Sequence, residues 1–523
     1  MLRPLTLLAL FSIFVIPACA ERYAEENPLY PLAWYNKGVA LSELGRYDEA
    51  ILCYDNALEL DPEYALAWNN KGIAKSALGR QNEALDCYNR SLEIDPGYAP
   101  AWNNRGVVLE GLERADEALA SYERALQIDP EYALVWSNRG GIFYSRGDYS
   151  SSIDSYERAL EIEPGLKEAW NNLGRALYAA GLYDRSVDCY DEALKIDPEY
   201  ATAWNNKGIA LGALGRHREA LDSYEEALDM EPYHIMALYN RGIALGILGS
   251  RQEAIDSYDL VLKIDPGYAP AWYNRGVALS TLGSFEDAVA SYDEALKIDP
   301  DYAPAWNNRG IALGVLGRQE EAIPSYEEAL RIDPGYVMAW YNQGVAYSSL
   351  GLYDEALRSY EMALSIDPTL KEAWNNRGIA LATLGRQEEA ISSYEEALRI
   401  DPDYVMAWYN QGVAYSSLGR YDEALRSYEM ALSIDPTLKE AWNNKGIALA
   451  TLGRHEEAIE CYEKALEAEA GDMDAGDGEV DPFEMSPPEQ EEATEDEVAD
   501  HPSGDDATAE DVTAAEEAET DSG

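Results

Sequence analysis

Residues 203–210 read AWNNKGIA, and the same eight letters return at 67–74 and 441–448, with AWNNRGIA at 305–312 and 373–380. Tryptophan recurs every 34 residues from Trp34 to Trp442, with Leu238 alone standing in its place. Two residues after each of these positions comes asparagine, from Asn36 to Asn444, in all thirteen copies. Two further on comes glycine, from Gly38 to Gly446, and a tyrosine keeps the same period from Tyr54 to Tyr462. Self-similarity at a fixed period without insertions marks an array in which each unit is one supersecondary element.

The copy at 65–98 shows what that element is. From Ala65, the residues Trp68, Gly72, Lys75 and Leu78 follow helical spacing until Gly79 breaks it. A second helix is predicted from Asn82-Glu83, polar and acidic side chains suited to a first turn. Ala84, Leu85, Tyr88, Ser91 and Leu92 make its apolar face, and Asp95-Pro96 ends it. Gly72 inside a helix costs about 1 kcal/mol relative to alanine, so it has to permit a close approach of helices. A lone hairpin cannot bury such a face, and neighbours must stack into an α-solenoid. Residues 337–370 and 405–438 differ only at Leu352 and Arg420, so stacking dominates that part of the chain.

This spacing resembles the tetratricopeptide repeat family. The family's Trp, Gly, Ala, aromatic, Ala and Pro fall on Trp68, Gly72, Ala84, Tyr88, Ser91 and Pro96. They fall equally on Trp306, Gly310, Ala322, Tyr326, Ala329 and Pro334. The likeness covers 31–472, thirteen repeats, and departs from the pattern at Leu238, at Glu113 for a turn glycine and at Ala470 for the last proline. The resemblance implies an all-α, right-handed superhelix that serves as a non-catalytic protein-interaction scaffold, with the first helix of each hairpin on the concave side.

The flanks read differently. Arg3, the apolar run Leu5 to Ile16 and Ala18-Cys19-Ala20 form a signal segment at 1–20, followed by a short linker at 21–30. Cleavage after Ala20 releases a soluble exported chain. Lipidation at Cys19, in Ile16-Pro17-Ala18-Cys19, anchors it instead, and both routes place the protein outside the cytoplasm. Residues 471–523 hold twenty-one acids and no Lys or Arg, so the tail at 473–523 is expected to be disordered. The formal net charge of −57 repels nucleic acid and anionic membrane surfaces.

Chemistry-bearing motifs are missing. No G-x-S-x-G, P-loop or dinucleotide fingerprint occurs, and His217, His234, His455 and His501 have no metal-binding spacing. Acidic pairs repeat with the period, and nothing is seen to break that period as a catalytic site would. Cys53, Cys87, Cys189 and Cys461 share one position of the repeat, where most copies have serine. Corresponding helices roughly 8–10 Å apart are too distant for a comfortable disulfide. The expectation is no enzyme, no cofactor and no metal.

Partner binding is then the question. The resemblance places the two residues after each tryptophan on the groove, giving a ladder of Asn36, Asn70, Asn104, Asn138, Asn172, Asn206, Asn240, Asn274, Asn308, Asn342, Asn376, Asn410 and Asn444, edged by Tyr239, Tyr273, Tyr341 and Tyr409. Carboxamides can pair with the N–H and C=O of an extended peptide, and tyrosines add amphipathic contact. A similar ladder holds polypeptide in the helical arrays of O-linked N-acetylglucosamine transferases. Alternatively, each asparagine cross-links its neighbouring repeat. The base three after the tryptophan, Lys or Arg in ten repeats, either pairs with a second-helix acid or forms a strip for carboxylates. The carboxylate clamp of chaperone-tail binders is not assembled: the residue after Trp is never Lys, and the fifth after it is mostly Val or Ile and never Asn. Near-identical repeats also leave room for a self-assembling element of the cell envelope.

Overall fold

The structure, a computed structural model, describes residues 30–472. The signal segment, nearly all of the linker and the acidic tail lie outside the described residues. Among those residues there are twenty-six helices and no strand. They pair as the repeats require: Ala65–Ala77 with Gln81–Ile94, Ala303–Val315 with Gln319–Ile332, and so on to Lys439–Thr451 with His455–Asp472. The second helix at 81–94 begins one residue ahead of Asn82, because Arg80 takes the cap position without a side-chain cap bond. No described helix is long and apolar enough to cross a membrane.

Three local devices repeat. Gly45, Gly79 and their counterparts end the first helix at φ between 69° and 84°, a region that costs other residues roughly 1–2 kcal/mol. Glu113 takes the same conformation at φ 59° without being glycine. Between repeats, Asp95 Oδ1 accepts from Gly97 N–H at 2.9 Å, and Trp102 Nε1 donates to the Pro96 carbonyl at 3.0 Å. That bond recurs from Trp68 to Trp442. The helical glycine does what its cost implied. A Cβ on Gly310 would sit 2.5 Å from Tyr326 Cε1, so the tyrosine of the second helix fills the space that the missing side chain leaves.

The chain divides into two compact units, one ending at Pro232 and the other beginning at Tyr233. Within each, a first helix packs on its own second helix, and that second helix packs on the next first helix. In the first unit Tyr88, Leu109, Tyr122 and Leu126 join one core across the repeats. In the second, Tyr273, Tyr292, Leu313 and Tyr326 do so. Each unit is an α-solenoid built from nearest-neighbour contacts.

Candidate functional site

The base three after the tryptophan is engaged by the array itself. Lys71 Nζ lies 2.6 Å from Asp55 on the preceding second helix and 4.8 Å from the centroid of Trp68. Arg309 reaches further. Its Nε meets Asp293 at 2.6 Å, and its Nη1 donates to Ser325 Oγ on its own second helix at 2.7 Å. Arg105, Arg275, Arg309 and Arg377 each join a preceding second helix to their own, and Lys71, Lys207 and Lys445 reach the preceding helix while lying over their own tryptophan. Where glutamine replaces the base, the polarity reverses: Ser359 Oγ donates to Gln343 at 2.7 Å and Ser427 to Gln411 at 2.8 Å. The strip of free cations for carboxylates is not what these side chains form.

The asparagine two after the tryptophan also reaches across a junction. Asn70 Nδ2 donates to Tyr35 Oη at 3.0 Å, Asn104 to Asn69 Oδ1 at 3.1 Å, Asn138 to Asn103 at 3.0 Å and Asn206 to Asn171 at 3.0 Å. In the second unit Asn274 donates to Tyr239 Oη at 2.9 Å, Asn308 to Tyr273 at 3.1 Å and Asn342 to Asn307 Oδ1 at 3.2 Å. Asn376, Asn410 and Asn444 continue to Tyr341, Asn375 and Tyr409. Asn172 accepts from Asn171 at 3.4 Å, Asn240 is buried, and Asn36 is exposed on the first repeat. Each rung adds about 0.5–1.5 kcal/mol to its junction.

The rungs use the amide hydrogens, and the fate of the oxygen depends on the residue just before. With asparagine there, the oxygen is satisfied: Asn307 Nδ2 donates to Asn308 Oδ1 at 3.2 Å, and Asn375 to Asn376 likewise. Tyrosine there has no second amide to offer. Asn274 Oδ1 and Asn342 Oδ1, following Tyr273 and Tyr341, are buried without a partner. Between them in the array, the Tyr326 hydroxyl is also buried and partnerless. Its equivalents Tyr292 and Tyr360 meet Ser280 and Ser348, eight after the tryptophan, at 3.3 and 3.2 Å, where this repeat has Gly314. Three consecutive repeats thus carry one unanswered, buried polar atom each, on the first helix at Asn274 and Asn342 and on the second helix at Tyr326.

That face is less periodic than the sequence reading held. Residues one, five and eight after the tryptophan share it by helical spacing. In ten repeats the fifth is Val or Ile and the eighth is Ser, Gly or Ala. The exceptions are consecutive: Val107 with Glu110, Gly141 with Tyr144, and Arg175 with Tyr178. Sorting each repeat position separately exposes this break, whereas a search for known motifs passes over it. Glu110 accepts from the Tyr122 hydroxyl at 3.0 Å, and its other oxygen lies 4.0 Å from where a Cβ on Gly141 would be. Arg175 Cζ stands 5.0 Å from the Tyr144 centroid. Tyr144 and Tyr178 are braced by Tyr149 and Tyr183 at 5.7 and 5.2 Å. Burial raises the Glu110 carboxyl above its ordinary range, against the lowering effect of the Tyr122 bond.

Cys53, Cys87, Cys189 and Cys461 are buried and form no disulfide. Burial pushes Cys189 up to about 12 and raises Cys87 and Cys461 as well, which leaves them as protonated packing groups at neutral pH. Among the described residues no group of three or more His, Cys, Asp or Glu could hold a metal.

Comparison with curated proteins returns no match. Among solved structures, one of MamA is 30% identical over 32% of this chain and 96% of its own, with a TM-score of 0.31. A structure of YrrB, described as a TPR protein with an unusual peptide-binding site, is 25% identical over 35% of this chain and 95% of its own, with a TM-score of 0.32. Models of the tetratricopeptide repeat match residues 31–64, 65–98, 97–163, 166–232, 205–269, 273–337, 337–370, 405–438 and 440–469, and a TPR repeat model matches 380–419. With helix pairs, tryptophan–proline bonds and glycine–tyrosine contacts in the same period, the chain belongs to the tetratricopeptide repeat family, a protein-interaction fold.

Proposed function

We propose that this protein is a non-catalytic scaffold that binds extended polypeptide along its first-helix face. The observation that carries the reading is the row Asn274 Oδ1, Tyr326 Oη and Asn342 Oδ1, buried and unanswered in three successive repeats. An unsatisfied buried polar group costs roughly 1–3 kcal/mol, so such a row favours a ligand that answers it. Two carboxamide oxygens accept, and the hydroxyl between them both donates and accepts. An extended main chain offers both N–H donors and C=O acceptors along its length, so it can answer carboxamide oxygens and a hydroxyl alike. The ladder then has two parts: amide hydrogens that hold the repeats together, and the oxygens of Asn274 and Asn342, left for the partner.

Converting Tyr273→Asn and Tyr341→Asn together tests this, with thermal unfolding to separate the lost packing of these buried tyrosines from lost binding. Asparagine at these places gives each oxygen the donor it has in repeats such as 303–336, and it still accepts the next rung. Peptides selected from a random library on the immobilised full chain should bind the double variant at least tenfold more weakly, with helical content unchanged. Undiminished binding at equal helicity would remove the row from the binding site.

A further inference from the structure

The broken stretch of the first-helix face, residues 99–200, differs from the row above in having charge. Glu110 leans from its own repeat over Gly141 in the next, and Arg175 leans back from the repeat beyond onto Tyr144. An acid and a base thus converge on one first helix, Ala133–Ser145, from opposite sides. At their centre the side chain is missing. A Cβ on Gly141 would meet only Tyr156 Oη at 3.6 Å and Glu110 at 4.0 Å, ordinary contact distances. Helix packing therefore does not demand this glycine, unlike Gly140 beside it, whose Cβ would lie 3.0 Å from the Tyr156 ring. A helical glycine with no packing reason costs about 1 kcal/mol relative to alanine and fits a place where another backbone comes close. Tyr144, one turn further along the same helix, stands braced by Tyr149.

We infer that this stretch reads the partner's charge: it takes an extended polypeptide segment carrying one acidic and one basic side chain, with the main chain crossing over Gly141. The inference rests on the polypeptide-binding reading and deepens it by naming the segment's chemistry. Arg175, stacked on Tyr144, receives the carboxylate by a bidentate pair. Glu110 receives the base, and a cation there reverses the desolvation that raises its carboxyl. With neighbouring repeats about 8–10 Å apart and an extended chain advancing about 3.3 Å per residue, the two charges stand about three to six residues apart. Net charge alone favours a purely cationic partner for this protein. The site predicts a bipolar one.

The test is selection from a random peptide library on the immobilised full chain, comparing wild type with Glu110→Lys/Arg175→Glu and with Gly141→Val. Valine is common at this position in the other repeats, so Gly141→Val should fold at least as well as wild type. The expected result is wild-type peptides enriched in an acid and a base at the stated spacing, binding at least tenfold more weakly to Gly141→Val. The charge-swapped chain should select the two charges in reversed order along the peptide. Peptides without that pattern, or the same peptides on all three proteins, overturn the inference and leave the scaffold reading standing. If wild type selects no peptide at all, the scaffold reading falls as well. Should the charge swap unfold, as circular dichroism would show, the Gly141→Val comparison decides alone.

Discussion

Residues 269–336 and residues 99–200 are cut from one template and treat it differently. In the first stretch the glycines sit under tyrosines, Arg275 and Arg309 each meet an aspartate and a serine, and every groove-facing side chain follows the pattern. The second keeps the glycine–tyrosine contact and the tryptophan–carbonyl bond but has Leu173 for the junction base, and its face carries Gly141, Glu110 and Arg175. In both stretches each first helix packs on its own second helix and each second helix on the next first helix, so this pairing is what the array needs to stack. What varies lies on the face and is open to selection by a partner. That separation can be attacked at single residues.

The largest contrast lies between two glycines. In Gly310→Ala the new Cβ falls 2.5 Å from a ring atom of Tyr326, itself fully buried. Overpacking of that kind costs about 1–3 kcal/mol, which is roughly a five- to 150-fold loss of amide-exchange protection in residues 303–332. Gly141→Ala meets only ordinary contacts and gains helix propensity, up to about 1 kcal/mol. Protection in residues 133–145 should rise. Equal losses at the two glycines would erase the distinction between junction and face.

A smaller effect tests the junction itself. Every arginine three after the tryptophan is matched by serine on its own second helix, as in Arg105 with Ser121 and Arg377 with Ser393, at 2.5 and 2.6 Å. Cysteine there occurs only with Lys37, Lys71, Lys445 or Leu173. Arginine has a second arm that requires an acceptor, and a thiol is a poor one. Lysine makes one contact and accepts either neighbour. Ser325→Cys should therefore weaken the junction in the wild-type background and cost little beside Arg309→Lys. A double-mutant cycle should give about 0.5–1 kcal/mol of coupling, read by denaturant midpoint. Strict additivity would mean that the pairing is accidental.

These junction residues were legible as letters before they were legible as contacts. The 34-residue period, the helical glycine and the Asp-Pro ends fixed the hairpin, because each is forced by backbone geometry that every repeat shares. The base was harder, since one sequence position fits both a groove-facing and a junction side chain; only the 2.6 Å approach to Asp293 decides. The asparagine ladder split in a way no single letter announces. Its oxygens are answered or not according to the preceding residue, a dependence visible in Asn307-Asn308 against Tyr273-Asn274 once the bonds are known. Glu110, Gly141 and Arg175 were overlooked for the opposite reason. The period is so strong that five departures at two positions, in three repeats, read as noise until position-by-position comparison shows those repeats adjacent.

The smallest expected effect is one of pH, and it lies on the face. The Glu110 carboxyl is raised by burial, so the folded chain holds this proton more tightly than the unfolded chain does. Above the ordinary carboxylate value of 4.5, folding then favours the protonated form, and the stability of this repeat declines as pH rises through the raised pKa. Glu110→Gln keeps an acceptor for the Tyr122 hydroxyl and removes the ionisation. Amides of residues 99–128 should show equal protection in wild type and variant below the ordinary carboxylate range, with the variant becoming the better protected toward neutral pH. Residues 269–298, where Ser280 stands at the equivalent place, should show no difference at either pH. A variant less protected at neutral pH would mean that the carboxylate is already stabilised as an anion, and Glu110 would then have no call for a basic side chain. A selected bipolar peptide supplies the converse check: bound to wild type, it should abolish the decline with pH, because a cation beside Glu110 returns its pKa toward the value it has in the unfolded chain.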